Sequence, residues 1–192
     1  LDLRTEEGRA ALARLASRAD VMLEAFRPGV AARLGLVPEA GKPDVVFLSV
    51  SGFGQRGPYA ERPCTDGVAQ AFTGLVALNE GADGVPHRTG PVMAVDVVTG
   101  ISAFAAVQAA LAAQAAARAA GAAPMPRVLD VSLMQSAAAL MGYNIAEQGL
   151  LGRAPAMPNT PVGTYQGSCG GWFMVAFLRE PEWPRFCAAA GL

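Results

Sequence analysis

The chain has 192 residues, of which 52% are hydrophobic, so it can bury a substantial core and disorder is excluded. A formal net charge of −1, with 16% charged residues, argues against nucleic acid or an anionic membrane surface as a partner. Three widely spaced cysteines and one histidine argue against a disulfide framework and a multi-histidine metal centre.

The first third of the chain alternates apolar runs with helical patterns. Residues 1–20 predict the end of a strand and then a helix, for which Thr5 is a suitable N-cap. Residues 19–26 predict a short buried strand, and residues 27–36 predict a helix between a proline and a glycine. Residues 43–54 predict a second apolar strand, whose closing glycines let the backbone turn tightly or approach a ligand.

The rest of the chain continues the alternation, with a long apolar stretch at its centre. That stretch contains Gln108 and Gln114 and is mostly alanine, so we predict a buried helix rather than a membrane span. In chain order the predicted elements are a helix over 65–78, this helix over about 97–117, a strand and helix over 126–152, two strands over 163–177 and a helix over 180–192.

Strands that alternate with helices predict an α/β fold with a largely parallel sheet. The chain contains no GxGxxG, so no motif supports dinucleotide binding. The sequence opens at what reads as a strand end and closes within a helix, and we therefore expect an incomplete unit. No signal peptide precedes the first helix, and the expected compartment is the cytoplasm.

Asp96 interrupts an apolar run just before the long helix. A carboxylate at a helix N-terminus often accepts a hydrogen bond from a free backbone N–H, so capping is one interpretation. A nucleophile or acid–base group is the other, and the local pattern leaves both open.

Five stretches, in this order, resemble the class III CoA-transferases, a family that includes formyl-CoA:oxalate and carnitine CoA-transferases and the related α-methylacyl-CoA racemases. The combination of SGFGQRGPY with a later DxxTG carries most of the specificity. The stretches are ADVMLEAFRPGVAARLGL (19–36), PDVVFLSVSGFGQRGPYAERP (43–63), TDGVAQAFTGL (65–75), RTGPVMAVDVVTG (88–100) and VLDVSLMQSAAALM (128–141).

The resemblance implies an incomplete Rossmann-like large domain over 1–152, followed over 153–192 by the linker and the start of a truncated small domain. It also implies an interlocked homodimer for the full-length protein. The substrates would be an acyl-CoA and a carboxylic acid, with no metal and no permanently bound cofactor.

The resemblance also implies roles for particular residues. Asp96 matches the transferase nucleophile, which carries an aspartyl anhydride and then an aspartyl-CoA thioester. Capping and catalysis are compatible roles for it. The positions that match CoA-contacting segments are Leu1, Asp2, Leu3, Arg4, Ala25, Phe26, Arg27, Arg33, Arg62, Pro63, Cys64 and Thr65.

The chain departs from the family pattern at three places. Ala25 stands where the family often has Asn, and the glycine-rich loop that closes over the transferase intermediate is not evident near residues 159–167. Thr65 stands where the racemases have a histidine, which disfavours a racemase because racemisation needs a second proton-transfer group. An acyl-CoA racemase or epimerase and a non-catalytic CoA-binding chain remain the alternatives.

Asp66 and Asp130 are interpreted as structural acids near helix starts.

Overall fold

The computed structural model describes residues 1–80, 84–152, 162–177, 179 and 181–191. The chain divides into two compact units, Leu1–Ile145 and Ala146–Leu192.

The first unit is built on a parallel sheet, as the alternation of elements predicts. Its strand order is β1-β2-β3, and residue Val46 pairs with Val21 on one side and with Arg127 on the other. The α/β prediction is therefore confirmed. The strands are β1 (Val21–Glu24), β2 (Val46–Ser51) and β3 (Arg127–Ser132).

Helices connect and follow the strands. The helix predicted over 65–78 is two helices, because Gly74 adopts a φ of +82° and ends the first one. The helix predicted after β3 is also divided, at Met141. The helices are α1 (Glu6–Ala16), α2 (Val30–Arg33), α3 (Asp66–Phe72), α4 (Leu75–Leu78), α5 (Ala94–Ala119), α6 (Leu133–Leu140) and α7 (Gly142–Leu151).

The start of the chain confirms one prediction and corrects another. The Thr5 hydroxyl accepts a hydrogen bond from the Gly8 N–H at 3.0 Å and caps α1 as predicted. Residues 1–4 form a turn, closed by the Thr5 N–H on the Asp2 carbonyl, and not the end of a strand.

The core lies on both faces of the sheet's central strand. Val46 and Leu48 of β2 are fully buried, as expected for a strand covered on both sides. One apolar cluster joins Ala16, Met22, Val45 and Phe47, and a second joins Ala69 of α3, Val95 of α5 and Ala137 of α6. The second cluster fixes the start of α5 against α3 and α6.

The long helix α5 is less buried than its sequence predicts. Only 22% of its most apolar 18-residue window is buried, so the prediction of a buried helix is wrong for the described chain. By length and composition α5 could cross a membrane, but the core helix of a soluble protein passes the same test. At its far end, Arg118 pairs with Asp44, its Nε 2.7 Å from Oδ2.

The second unit contains the predicted pair of strands and a helix. Strands β4 (Gly163–Gln166) and β5 (Trp172–Val175) pair antiparallel around a glycine-rich turn, and α8 spans Glu182–Ala190. Residues 153–161, where the predicted linker begins, lie outside the described residues. The boundary at residue 152 stays a prediction.

Candidate active site

A cleft of about 290 Å³ lies where the parallel strands end. Ala25–Pro28 follow β1, Val50–Gly52 form the end of β2, and Leu133 follows β3. Ligands of parallel α/β sheets bind outside the carboxyl ends of the strands, so this is where a substrate is expected. Segment 62–65, together with Ala60, completes the wall.

Most of the predicted CoA-contacting residues meet in this cleft. Ala25, Phe26, Arg27 and the run Arg62–Thr65 all line it, although 35 or more positions separate the two groups in the sequence. The cleft therefore offers two guanidinium groups for phosphate and the ring of Phe26 for a base.

Two local contacts shape the cleft walls. The buried Glu24 accepts a hydrogen bond from the Phe26 N–H on Oε2 at 2.8 Å, which fixes the chain as it leaves β1. The Arg62 guanidinium lies 4.6 Å from the centre of the Tyr59 ring, a cation–π contact that orients it.

Gly52 lets the cleft wall close. A Cβ at this position would lie 2.3 Å from the Cβ of Cys64, so only glycine lets the end of β2 pack against segment 62–65. The Gly52 carbonyl also accepts a hydrogen bond from the Met134 N–H at 3.0 Å. The sequence suggested a tight turn or an approach to a ligand for this glycine, and the close approach in the structure is to Cys64 of the same chain.

The remaining predicted CoA contacts lie outside the cleft lining. Arg33 is exposed in the last turn of α2, and Leu1–Arg4 form the turn before α1. The Arg4 guanidinium forms an ion pair with Asp2 at 2.9 Å and lowers the pKa of the Asp2 carboxyl. The roles of Arg33 and Leu1–Arg4 in CoA binding stay predictions.

Asp96 lies in the first turn of α5, beside the cleft wall. The N-cap residue of α5 is Met93, which makes no side-chain capping bond, so the capping interpretation of Asp96 is wrong. The capping acceptor comes instead from α3. Asp66 Oδ2 accepts hydrogen bonds from the N–H of Val95 at 2.8 Å and of Asp96 at 3.1 Å.

The Asp96 carboxyl interacts electrostatically with two neighbouring groups, Asp66 and Cys64. Partial burial raises the pKa of the Asp96 carboxyl, and the nearby Asp66 charge raises it further. Burial also raises the pKa of the Cys64 thiol, and the Asp96 charge adds to that effect. Asp96 thus lies close enough to the cleft-lining Cys64 for their charges to interact.

Comparisons with known proteins bear directly on this arrangement. The sequence profile of the family described as "CoA-transferase family III" matches residues 1–192. The chain belongs to CoA-transferase family III. One relative is the succinyl-CoA–D-citramalate CoA-transferase of Chloroflexus aurantiacus. It is 32% identical over 200 residues, which cover 100% of this chain and 48% of the relative. The acetyl-CoA:oxalate CoA-transferase of Acetobacter aceti is 35% identical over 81% of this chain and 39% of its own length.

Solved structures agree with the family III assignment. A CAIB/BAIF family protein from Brucella suis superposes with a TM-score of 0.84 and 30% identity, covering 99% of this chain and 50% of that one. The recognition of the family and of its fold from the sequence is therefore confirmed. The chain spans about half the length of the curated relatives and solved structures it matches.

The two acids interpreted as structural, Asp66 and Asp130, both lie near helix starts as expected, and each accepts hydrogen bonds from N–H groups of a different segment. Asp66 is structural, but it caps α5 and not its own helix. Asp130 lies within β3, two residues before Ser132, the N-cap of α6, and accepts a hydrogen bond from the Gln55 N–H at 2.9 Å. Sequence reasoning missed Gln70, whose only signal was its spacing of four residues from Asp66 on one helix.

Proposed function

We propose that this chain is the nucleophile-bearing part of a CoA-transferase, and that Asp96 accepts the acyl group. The observation that carries the proposal is the position of Asp96, in the first turn of α5 and beside the wall of the cleft that gathers the CoA-type residues. The whole protein would transfer CoA from an acyl-CoA thioester to an acceptor carboxylic acid.

The chemistry follows from a carboxylate nucleophile and needs no additional base. The Asp96 carboxylate attacks the thioester carbonyl, and the C–S bond breaks to release CoA thiolate and leave a mixed anhydride. The thiolate then attacks the aspartyl carbonyl, which releases the donor acid as a carboxylate and forms an aspartyl-CoA thioester.

The second half repeats these steps in reverse with the acceptor acid. Its carboxylate attacks the aspartyl thioester and expels thiolate, which then attacks the acceptor's acyl carbonyl and frees the Asp96 carboxylate. Each exchange is balanced without net proton transfer, so the raised pKa of Asp96 has to stay below the working pH.

Arg27 and Arg62 would hold the CoA phosphates, and Phe26 would lie beside the adenine. The acid partners named in two of the relatives are D-citramalate and oxalate, with succinyl-CoA and acetyl-CoA as their CoA partners. These pairs are the first substrates to assay. Coenzyme A is a substrate in this scheme, and the cytoplasmic compartment stays a prediction.

We also propose that the full-length protein is a homodimer of interlocked chains. The support in this chain is the apolar stripe on α5, formed by Val97, Ile101 and Phe104, each more than half exposed. Monomeric proteins rarely leave such a stripe in water.

The test of the nucleophile is a comparison of two substitutions in the full-length protein. Asp96→Ala and Asp96→Asn should each lower CoA exchange by at least about a thousandfold, because neither side chain can attack a thioester. Asn has nearly the same size and shape as Asp, so a purely structural Asp96 predicts little loss of exchange for Asp96→Asn. Wild-type protein incubated with the acyl-CoA should carry acyl or CoA mass on the peptide that contains Asp96.

The matched control is Asp44→Asn, whose carboxylate pairs with Arg118 at the other end of α5, and this variant should retain exchange. Full transfer by Asp96→Asn would refute the proposal. Solvent deuterium at the acyl α-carbon without a covalent adduct would indicate a racemase instead.

A further inference from the structure

The carboxylate of Asp66 is the capping group of α5. Asp66 is the first residue of α3, yet its Oδ2 lies 2.8 Å from the Val95 nitrogen and 3.1 Å from the Asp96 nitrogen. These N–H groups belong to the first turn of α5, which has no acceptors of its own for them. One carboxylate oxygen therefore fixes the main chain of the residue that bears the candidate nucleophile.

A buried glutamine holds Asp66 in this position. Gln70 is fully buried one turn further along α3, and its Nε2 donates to Asp66 Oδ1 and, at 3.1 Å, to Thr89 Oγ1. Its Oε1 accepts from the Thr89 N–H at 3.0 Å. The Thr89 hydroxyl in turn donates to the Val92 carbonyl at 3.0 Å, just before α5 begins. Asp66 is thus held on one oxygen while it holds α5 with the other.

We propose that Asp66 is a positioning residue for the nucleophile: it fixes the backbone of Asp96 and keeps a second negative charge beside that carboxylate. The proposal rests on the proposed function of Asp96. The Asp66 carboxylate does both: it accepts the backbone hydrogen bonds and repels the Asp96 charge. An uncharged cap would accept the same hydrogen bonds without the repulsion.

The repulsion has a catalytic consequence. The Asp96 charge is present before attack and disappears in both the anhydride and the aspartyl thioester, because each is a neutral acyl derivative. A fixed negative neighbour therefore destabilises the free carboxylate relative to either intermediate. It also makes the carboxylate more basic, and so a better nucleophile. Among the described residues, Asp66 of α3 is the titratable group whose charge raises the Asp96 pKa, and Cys64, from the preceding segment, is a group whose own pKa the Asp96 charge raises.

The experiment measures the Asp96 carboxyl directly, by NMR titration of full-length protein labelled with ¹³C on aspartate side chains. The Asp96 resonance is assigned with Asp96→Asn. Asp66→Asn keeps one neutral acceptor for the α5 N–H groups and removes the charge, so the Asp96 pKa should fall. Asp66→Glu keeps the charge, and the Asp96 pKa should stay raised. Asp44→Asn removes a carboxylate at the other end of α5 and should leave it unchanged.

Kinetics and hydrogen exchange give independent readouts. In Asp66→Asn, kcat should fall between about tenfold and a hundredfold, with its acidic limb displaced to lower pH and with little change in KM for the acyl-CoA. In Asp66→Ala, the amides of Val95 and Asp96 should exchange faster than in the wild type.

An Asp96 pKa that is unchanged in Asp66→Asn, or that moves equally in Asp44→Asn, would overturn the proposal. If Asp66→Asn does not fold, the titration of Asp66→Glu tests the proposal instead. Asp66→Glu keeps the negative charge, so an Asp96 pKa that is no longer raised in this variant would contradict the role of the charge. The titration measures the Asp96 pKa without any catalytic turnover, so its result does not depend on the proposed function. Failure of the proposed function would be seen separately, as full exchange activity in Asp96→Asn.

Discussion

At the residue scale, three influences act on the Asp96 carboxylate. Its position in the first turn of α5 stabilises the charged form, since the N-terminal end of a helix dipole is positive. Partial burial and the Asp66 charge act in the opposite direction and raise the pKa of Asp96. Burial and the Asp66 charge thus favour the neutral, protonated form of the Asp96 side chain.

Cys64 offers a measurement of that charge. Its thiol pKa is raised by burial and by Asp96, and only the thiolate reacts with alkylating reagents. Asp96→Asn should therefore lower the Cys64 pKa and speed its alkylation severalfold at neutral pH. Peptide-resolved mass spectrometry after timed iodoacetamide treatment of the full-length protein would measure the rate and its pH midpoint.

The exposed Cys169, which belongs to the second unit, is the internal control and should react at the same rate in both proteins. An unchanged pH midpoint for Cys64 in Asp96→Asn would contradict the proximity of the two groups.

At the element scale, the end of β2 carries much of the cleft geometry. Gly52 lies against Cys64, and Gly54 adopts a φ of +91° with its N–H on the Ser51 hydroxyl at 3.0 Å. Asp130 holds the next residue, Gln55, from the neighbouring strand. The loop that follows β2 is thus fixed by its own glycines and by β3.

Gly52→Ala should displace segment 62–65, because the new Cβ would overlap Cys64. The expected cost is about 1–3 kcal/mol of unfolding free energy, together with weaker CoA binding. Urea unfolding and calorimetry with CoA on the full-length protein would measure the two effects. Gly149→Ala is the matched control. It lies in α7 with open space around it and should be neutral or stabilising by up to about 1 kcal/mol. Equal behaviour of the two variants would contradict the packing role of Gly52.

The elements also show what the sequence can predict. The cap of α1 by Thr5 and the three strands of the parallel sheet follow from neighbouring residues, and these predictions are confirmed. The cap of α5 could not be predicted in this way, because Asp66 lies 30 positions before the N–H it holds. The gathering of Phe26 and Arg62 in one cleft likewise depends on β1 and β2 being neighbours in the sheet, an order that the local sequence pattern does not give.

At the scale of the whole molecule, the apolar face of α5 is the feature this chain leaves unexplained. One side of the helix packs on the sheet and on α3 and α6, through Val95, Thr99 and Ala103. The other side presents Val97, Ile101 and Phe104 at 57%, 62% and 66% exposure. Their spacing of four and three residues forms one stripe, which is the pattern of a helix covered on both sides. The sequence predicted a buried helix because composition cannot distinguish burial within this chain from burial against a second chain.

Phe104→Glu should separate the proposed dimer, because it places a charge without a partner at the most exposed residue of that stripe. The wild-type full-length protein should sediment as a dimer at micromolar concentration, and the variant's dissociation constant should rise at least about tenfold. Leu15→Glu is the matched control: Leu15 is 62% exposed on α1, away from the stripe, and its substitution should leave the dimer intact. A monomeric wild type would contradict the dimer. A variant that loses stability but keeps the wild-type sedimentation would show instead that the stripe is covered by the same chain.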